Sequence, residues 1–329
     1  MIYNIFSSTA PAMPKPGKGT EFVKLALSQA SKDMREVLIP MAIPALAAHL
    51  TDVRFMYCDN KFYEMCGQMG HLIGPSGIGK AQLSHLVEAI MRPFRKHDEI
   101  EFKKLVDWQR QMKTKGANKE KPERPDVSFW FPPADVTNPA FIQNAMALEK
   151  LGQRTQYLNL PEVEMADKMC GGHKQVSQMV RNIYDCQRAG ALRATADGVT
   201  GNPTLRVNLT FTSTPDAARL FYKKDLTNGF FGRIPFAYKA RGARCGRIPR
   251  QGQYNQDFME QLDSYLLRLD NCRGSFTVKQ LNKVADQLAE EMAKLADLAD
   301  DDMLWELSHR SIFSAWKKGA VLWILNDQQ

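Results

Sequence analysis

The chain has 329 residues, enough to bury a large core, either as one α/β domain or as a core with a helical appendage. Its formal net charge is +8 and its pI about 9.1, which favours an acidic partner such as nucleic acid, although many soluble proteins are as basic. The six cysteines, Cys58, Cys66, Cys170, Cys186, Cys245 and Cys272, form no C-x-x-C and are scattered, which reads as reduced cytoplasmic thiols and argues against zinc. No charged leader precedes an apolar core at the N-terminus, so a cytoplasmic protein without a secretory signal is expected. The apolar run 39–50 is too short, and too interrupted by Pro40 and Pro44, for a membrane span.

Residues 1–19, with Pro11, Pro14 and Pro16, read as a flexible leading segment. A helix is expected over 20–37, after which Pro40 and Pro44 divide the apolar stretch. Alternation over 53–57 and a turn at Asp59-Asn60 predict a hairpin beside the next strand. That strand ends at His71-Leu72-Ile73 and leads into Gly74-Pro75-Ser76-Gly77-Ile78-Gly79-Lys80. These residues fit G-x-x-x-x-G-K, the phosphate-binding loop (Walker A) of P-loop NTPases. Glycines let the backbone turn its N–H groups toward an anion, and the N-terminus of the following helix adds partial positive charge. Lys80 would reach the β- and γ-phosphates. Leu83, Leu86, Val87, Ile90 and Phe94 continue at helical spacing. The bland alternative is a glycine turn before an ordinary helix. Ala81 stands where Ser or Thr normally gives a hydroxyl to Mg²⁺, so phosphate binding is better supported than metal-assisted hydrolysis.

Pro93 ends that helix and a second is expected near Asp98. The basic run 113–124 reads as a solvated loop, with contact to nucleic acid as the alternative. Residues 127–131 predict a buried strand, Asn138 and Pro139 an N-cap and N1, and 156–160 a further strand. This alternation implies a mostly parallel sheet covered by helices. At the end of the 156–160 strand, Pro161 takes the place of a metal-binding Asp and Glu162 that of the glutamate orienting the attacking water. Glu164 would share its face if the chain stays extended. Mg²⁺ could still enter through nucleotide phosphates and waters.

Residues 165–190 read as helical and 193–212 as a hairpin whose second arm, 205–211, alternates. Thr212, Ser213 and Thr214 at its tip could sense a γ-phosphate or simply cap a helix. Residues 223–250 carry eight Lys and Arg against the single acid Asp225, interleaved with aromatics, which suits nucleic acid or else a strand with solvated arginines. Beyond 255 the apolar spacing is helical, in stripes through Phe258–Leu269, Leu281–Leu295 and 304–325, expected to form a lid on the sheet or an oligomerisation face. The domains expected are therefore 1–19 (flexible), 20–252 (α/β core with a helical lead-in) and 253–329 (helical, ending as a fragment of a longer protein would).

Over roughly residues 35–325, the loop at 74–80, Asp135-Val136-Thr137, Glu162, Thr214-Pro215 and Gly229-Phe230-Phe231-Gly232-Arg233 occur in an order that resembles the helicase- or primase-associated P-loop proteins of bacterial mobile elements and prophages, many of them known only as a domain of unknown function. The loop is the one specific motif. The resemblance implies a RecA-like or AAA-like ATPase core using ATP and Mg²⁺, with DNA as partner, a primase or other replication protein nearby, and assembly into a ring. It matches Lys80 to the loop lysine, Glu162 to the catalytic glutamate and Arg233 to an arginine finger at a subunit boundary. Ala81 and Pro161 depart from the pattern and put turnover in question. A non-hydrolysing nucleotide-binding switch or scaffold and a small-molecule phosphotransferase stand as alternatives.

Overall fold

In a computed structural model, residues 21–114, 122–170, 173–190, 198–223, 230–240 and 250–326 are described. The chain begins with α1 (Glu21–Ser28), a 3-10 turn at Lys32–Met34, and α2 (Arg35–Ala48). The expected break at Pro40 and Pro44 does not occur, since both lie inside α2, which buries 11 of its 14 residues. Each proline removes a backbone donor, but packing on all sides holds the helix where its own ladder is weakened.

β1 (Val53–Met56) and β2 (Phe62–Glu64) form the expected antiparallel hairpin, but in a sheet separate from the loop-bearing strand. β3 (Met69–Ile73), the 74–80 loop and α3 (Ala81–Ile90) follow. α4 (Arg92–Thr114) starts six residues before the expected Asp98, because Pro93 falls in its first turn, where a missing N–H costs little. Part of the 113–124 basic run lies outside the described residues.

Residues 127–131 are not a strand. Their N–H groups are captured by side chains: Ser128 N donates to Glu101 Oε2 (3.0 Å), Phe129 N to Asn144 Oδ1 (2.7 Å), and Trp130 N and Phe131 N to the two Asp98 oxygens (2.8 Å each). Tyr157 N donates to Trp130 O, so the segment lies along the sheet edge without forming a ladder.

α5 (Asn138–Leu151) has Thr137 at its N-cap position, one residue earlier than expected and without a side-chain capping bond, and Asn138 Nδ2 donates to Met169 O at 3.2 Å. β4 (Gln156–Leu160), α6 (Met165–Cys170), α7 (His173–Tyr184), β5 (Val207–Ser213) and α8 (Pro215–Tyr222) follow. The first arm of the hairpin expected before β5 falls largely outside the described residues. β5 itself is buried along its whole length and pairs in parallel on both sides, so the expected half-exposed alternation is wrong. After a 3-10 turn at Phe231–Arg233 and β6 (Phe236–Tyr238), the chain ends in α9 (Gln256–Asn271), β7 (Gly274–Phe276), α10 (Lys279–Ala299) and α11 (Asp302–Leu325). Much of the 223–250 basic-aromatic stretch lies outside the described residues.

The main sheet is all-parallel in the order β4-β5-β3-β6, and the small sheet runs β2-β1-β7. α2 and α3 cover one face of the main sheet, and α5 to α8 cover the other. α2 lies close because β3 presents Gly70 to it; a Cβ there would meet Met41 Sδ at 3.0 Å. Tyr157 OH donates to Thr210 Oγ1 (2.9 Å), which donates to Met41 O (3.2 Å), so two strands are tied to α2.

The C-terminal helices share this core. Phe258, Leu262, Leu266 and Leu269 of α9 and Ile312, Trp316, Val321 and Ile324 of α11 join α1 and α2 in one cluster. Of the stripe expected along α10, Leu288 and Leu295 are exposed; its buried residues are Ala285 and Ala296. No helix among the described residues is long and apolar enough to cross a membrane.

α11 also buries Lys317 and Lys318, and burial lowers both ammonium pKa values from 10.5 to about 8. Between pH 8 and 10.5 the unfolded lysines therefore hold protons that the folded ones have released. Stability should rise through that window by on the order of a few kcal/mol. Urea unfolding at pH 7.5 and 10 in the wild type and in Lys317→Met/Lys318→Met measures this; the rise should shrink in the variant.

Candidate functional site

The C-terminal ends of all four parallel strands point to one edge, where the 74–80 loop and Glu162 lie, whereas Arg233 precedes β6 and stands at the opposite edge. The 74–80 loop leaves β3 and runs into α3, the strand–loop–helix order that its sequence pattern requires. Gly77 (φ 80°) and Gly79 (φ 92°) take left-handed backbone angles that other residues adopt at a cost. Gly74 has a different constraint. A Cβ there would lie 2.2 Å from Ile78 Cδ1 and 3.0 Å from Lys239 O, so Ile78 and the exit of β6 wall the loop in.

Lys80 folds back over the loop. Its Nζ donates to Gly74 O (2.5 Å) and Pro75 O (3.2 Å), and burial lowers its pKa. The ammonium thus rests on neutral carbonyls, which an anion would outcompete. Pro75, Ser76 and Ile78 complete the turn, and Ala81 opens α3 with no oxygen on its side chain.

Two features behind the loop escaped the sequence reading. Gln82 is buried; its Oε1 accepts from Ser31 N (3.0 Å) and its Nε2 donates to Ser31 Oγ (2.9 Å), fixing the loop helix to the turn before α2. His71 is also buried, with Nδ1 2.8 Å from Tyr222 OH and Nε2 2.8 Å from Ser213 Oγ. Burial pushes its pKa down to about 3, so the imidazole is neutral. A polar residue inside an otherwise apolar strand was the signal available for His71.

The tip of β5 is already engaged. Thr212 Oγ1 donates to Pro161 O, Ser213 Oγ meets His71, and Thr214 Oγ1 caps α8 by accepting from Ala217 N. Thr214 therefore fits the helix-cap alternative.

Glu162 follows β4, one strand beyond β5. With strands about 4.8 Å apart, the end of β4 lies roughly 10 Å from the end of β3. Glu162 and Glu164 are exposed on either side of buried Val163. They do not share a face of an extended chain. The backbone turns at once into α6, with Met165 N donating to Glu162 O (3.1 Å) and Asp167 N to Glu164 O (3.1 Å).

Arg233 is held within its own subunit. Its guanidinium donates to Asp185 Oδ2 at 3.3 Å and lies 5.6 Å from the centre of the Tyr184 ring, and the side chain is only 17% exposed. It is not drawn into the cluster at the loop.

A cavity of about 380 Å³ opens beside Thr155 and Arg206, which precede β4 and β5, at the opposite edge of the sheet. Its charged walls are largely self-paired: Arg206 contacts Glu64 at 2.9 and 3.3 Å, and Arg54 contacts Asp52 at 3.0 Å. The 74–80 edge has the better chemistry for an anion.

No family model matches this chain, and no curated protein matches it.

Two glycine substitutions should separate crowding from backbone strain. Gly74→Ala should cost about 2–3 kcal/mol through overpacking. Gly77→Ala, where a Cβ meets nothing within 4 Å, should cost only about 1 kcal/mol through its positive φ. Chemical denaturation of the two variants checks the order.

Proposed function

We propose that the 74–80 loop binds the phosphates of ATP and that the protein is a P-loop ATPase of RecA-like or AAA-like type that handles DNA, acting as a ring and alongside a primase or another replication protein. The observation that carries the reading is topological. β3 and β5 are neighbouring parallel strands, yet the helix after β3 packs on one face of the sheet and the helix after β5 on the other. Such a divergence leaves a crevice outside the strands' carboxyl ends, where open α/β sheets bind ligands. The glycine loop sits at that crevice.

The residues fit the phosphates better than they fit the metal. Gly74, Gly77 and Gly79 allow the turn, α3 offers its N-terminus, and Lys80 can exchange the carbonyls of Gly74 and Pro75 for phosphate oxygens. Ala81 and Pro161 give Mg²⁺ no ligand, so the ion would be held by the triphosphate and water, where it would neutralise phosphate charge. Glu162, exposed and set back from the loop by one strand, has room to act on a water beyond the terminal phosphate. The departures at Ala81 and Pro161 equally favour the second reading, a nucleotide-binding switch that does not hydrolyse.

Calorimetry with ATP tests the loop. Lys80→Ala should lose most of its affinity while staying folded, by the loss of a charge-assisted contact worth about 1.5–3 kcal/mol. Unchanged affinity would remove the assignment. Given turnover, Glu162→Gln should bind ATP normally and hydrolyse it far more slowly, and Glu164→Gln should do less harm. DNA-stimulated hydrolysis supports the ATPase reading, binding without turnover the switch, and turnover that needs a small acceptor a phosphotransferase.

Arg233 enters the proposal as a finger for a neighbouring subunit's nucleotide, having left Asp185 on assembly. Such a group contributes roughly 10³–10⁵ in rate. Arg233→Ala should bind ATP and DNA almost normally but hydrolyse little, and mixing it with Lys80→Ala protein should restore activity at mixed interfaces. Loss of DNA affinity with basal hydrolysis intact would instead assign Arg233 to the nucleic-acid surface.

A further inference from the structure

The expectation of wholly reduced cysteines fails at one pair. Cys66, just before β3, and Cys186, just after α7, are joined as a disulfide across 120 residues, with Cα atoms 6.6 Å apart. Cys58, Cys170 and Cys272 are free. Sequence spacing could not reveal the pair, because the two positions meet only through the packing of α7 on the sheet.

The surroundings of this bond are unusual in three ways. Access is one-sided: Cys66 is 2% exposed, while Cys186 is partly open to solvent. Cys186 also occupies the left-handed position at the end of α7 (φ 49°), where glycine is the usual residue. Its N–H donates to Ile183 O, and the next N–H, of Gln187, to Asn182 O. Finally, the buried Lys317 ammonium donates to Cys66 O at 2.8 Å. Of the other charges nearby, Glu64 Oε2 is 3.6 Å from Cys66 Sγ but is engaged by Arg206, and Asp185 is engaged by Arg233.

We infer that Cys66 and Cys186 form a redox-responsive site, opened by a dithiol that attacks Cys186 and expels Cys66 beside the Lys317 ammonium. The thiolate of the reductant bonds to Cys186 Sγ, the Cys66–Cys186 bond breaks, and its electron pair leaves on Cys66. The second thiolate of the reductant then attacks the mixed disulfide and releases Cys186. The reductant ends as a disulfide, and both cysteines take up the protons its thiols gave. The Lys317 ammonium, held on the carbonyl of the same residue, is a positive charge close to the leaving group, and a nearby cation favours departure as thiolate. Opening the staple releases the strained end of α7, including Asp185, and so loosens the hold on Arg233. The chemistry is independent of whether the 74–80 loop binds ATP.

Alkylation and peptide mapping of the full chain after mild oxidation should recover the Cys66 peptide joined to the Cys186 peptide. Reduction of the folded protein by dithiothreitol should be proportional to reductant concentration, and roughly tenfold slower in Lys317→Met. Amide exchange over 181–186 and 230–233 should quicken on reduction, and Cys186→Ser should match the reduced protein. Absence of the joined peptide, a reduction rate independent of dithiothreitol, a Lys317→Met rate equal to wild type, or identical exchange in both redox states would each overturn the inference. Should Lys317→Met fail to fold, the exchange comparison with Cys186→Ser decides.

Discussion

The fold depends on burying α2 against the parallel sheet. Gly70 lets the helix approach, Thr210 reaches its backbone, and α9 and α11 close over its far side. At its end His49, fully buried, puts Nδ1 3.1 Å from Asp270 Oδ2 and Nε2 3.1 Å from Ile90 O. Asp270 also pairs with Arg154, which stacks on Trp130 at 4.2 Å. Burial works against the Asp270 carboxylate, but His49 and Arg154 outweigh it and hold its pKa below the usual value. One charged cluster therefore joins α2, α3, α9 and the start of β4. A buried charge in such a cluster is costly to strand, so these elements must assemble together.

That arrangement bears on the candidate site from behind. The 3-10 turn leading into α2 is tied through Ser31 to Gln82, the second residue of the helix that follows the loop. Met34 of the same turn lies 3.8 Å from where a Gly79 Cβ would be. The loop is thus braced by the helical lead-in as well as by its own strand. If the loop binds phosphate as proposed, this bracing would lower the ordering cost of binding.

What was legible in the sequence was local. The β3–loop–α3 unit, the β1–β2 hairpin and the α9 stripe carry their signals within about twenty residues. Misreadings arose where distant groups decide. Residues 127–131 have strand composition, but Asp98, Glu101 and Asn144 take their N–H groups. The prolines of α2 look like breakers until the helix is seen to be enclosed. β7 has three residues and pairs with β1 from more than 200 positions away, so no window could show it. At the site, the loop was readable as a motif, whereas the Asp185 partner of Arg233 and the Cys66–Cys186 bond exist only through tertiary packing.

Binding and turnover make different demands on this edge. A phosphate can be held by backbone dipoles, a helix N-terminus and one lysine, all of which the chain supplies at 74–81. Transfer of a phosphoryl group spreads further negative charge over the oxygens in flight and requires more cations than Lys80 alone. On the proposed ATPase reading, with Ala81 and Pro161 offering no metal ligand, the added charge would come with the nucleotide's own cation or from another subunit. In the proposed function Arg233 is the arginine assigned to that part, and its described carboxylate partner is Asp185. Its partner Asp185 is partly exposed and lies beside a reducible staple at the strained end of α7. On the proposed reading, a subunit contact that offered the guanidinium a phosphate would compete with its bond to Asp185 (3.3 Å) and its place over the Tyr184 ring. On the proposed ATPase reading, the loop is formed in the lone chain, while the catalytic charge would be conditional on assembly.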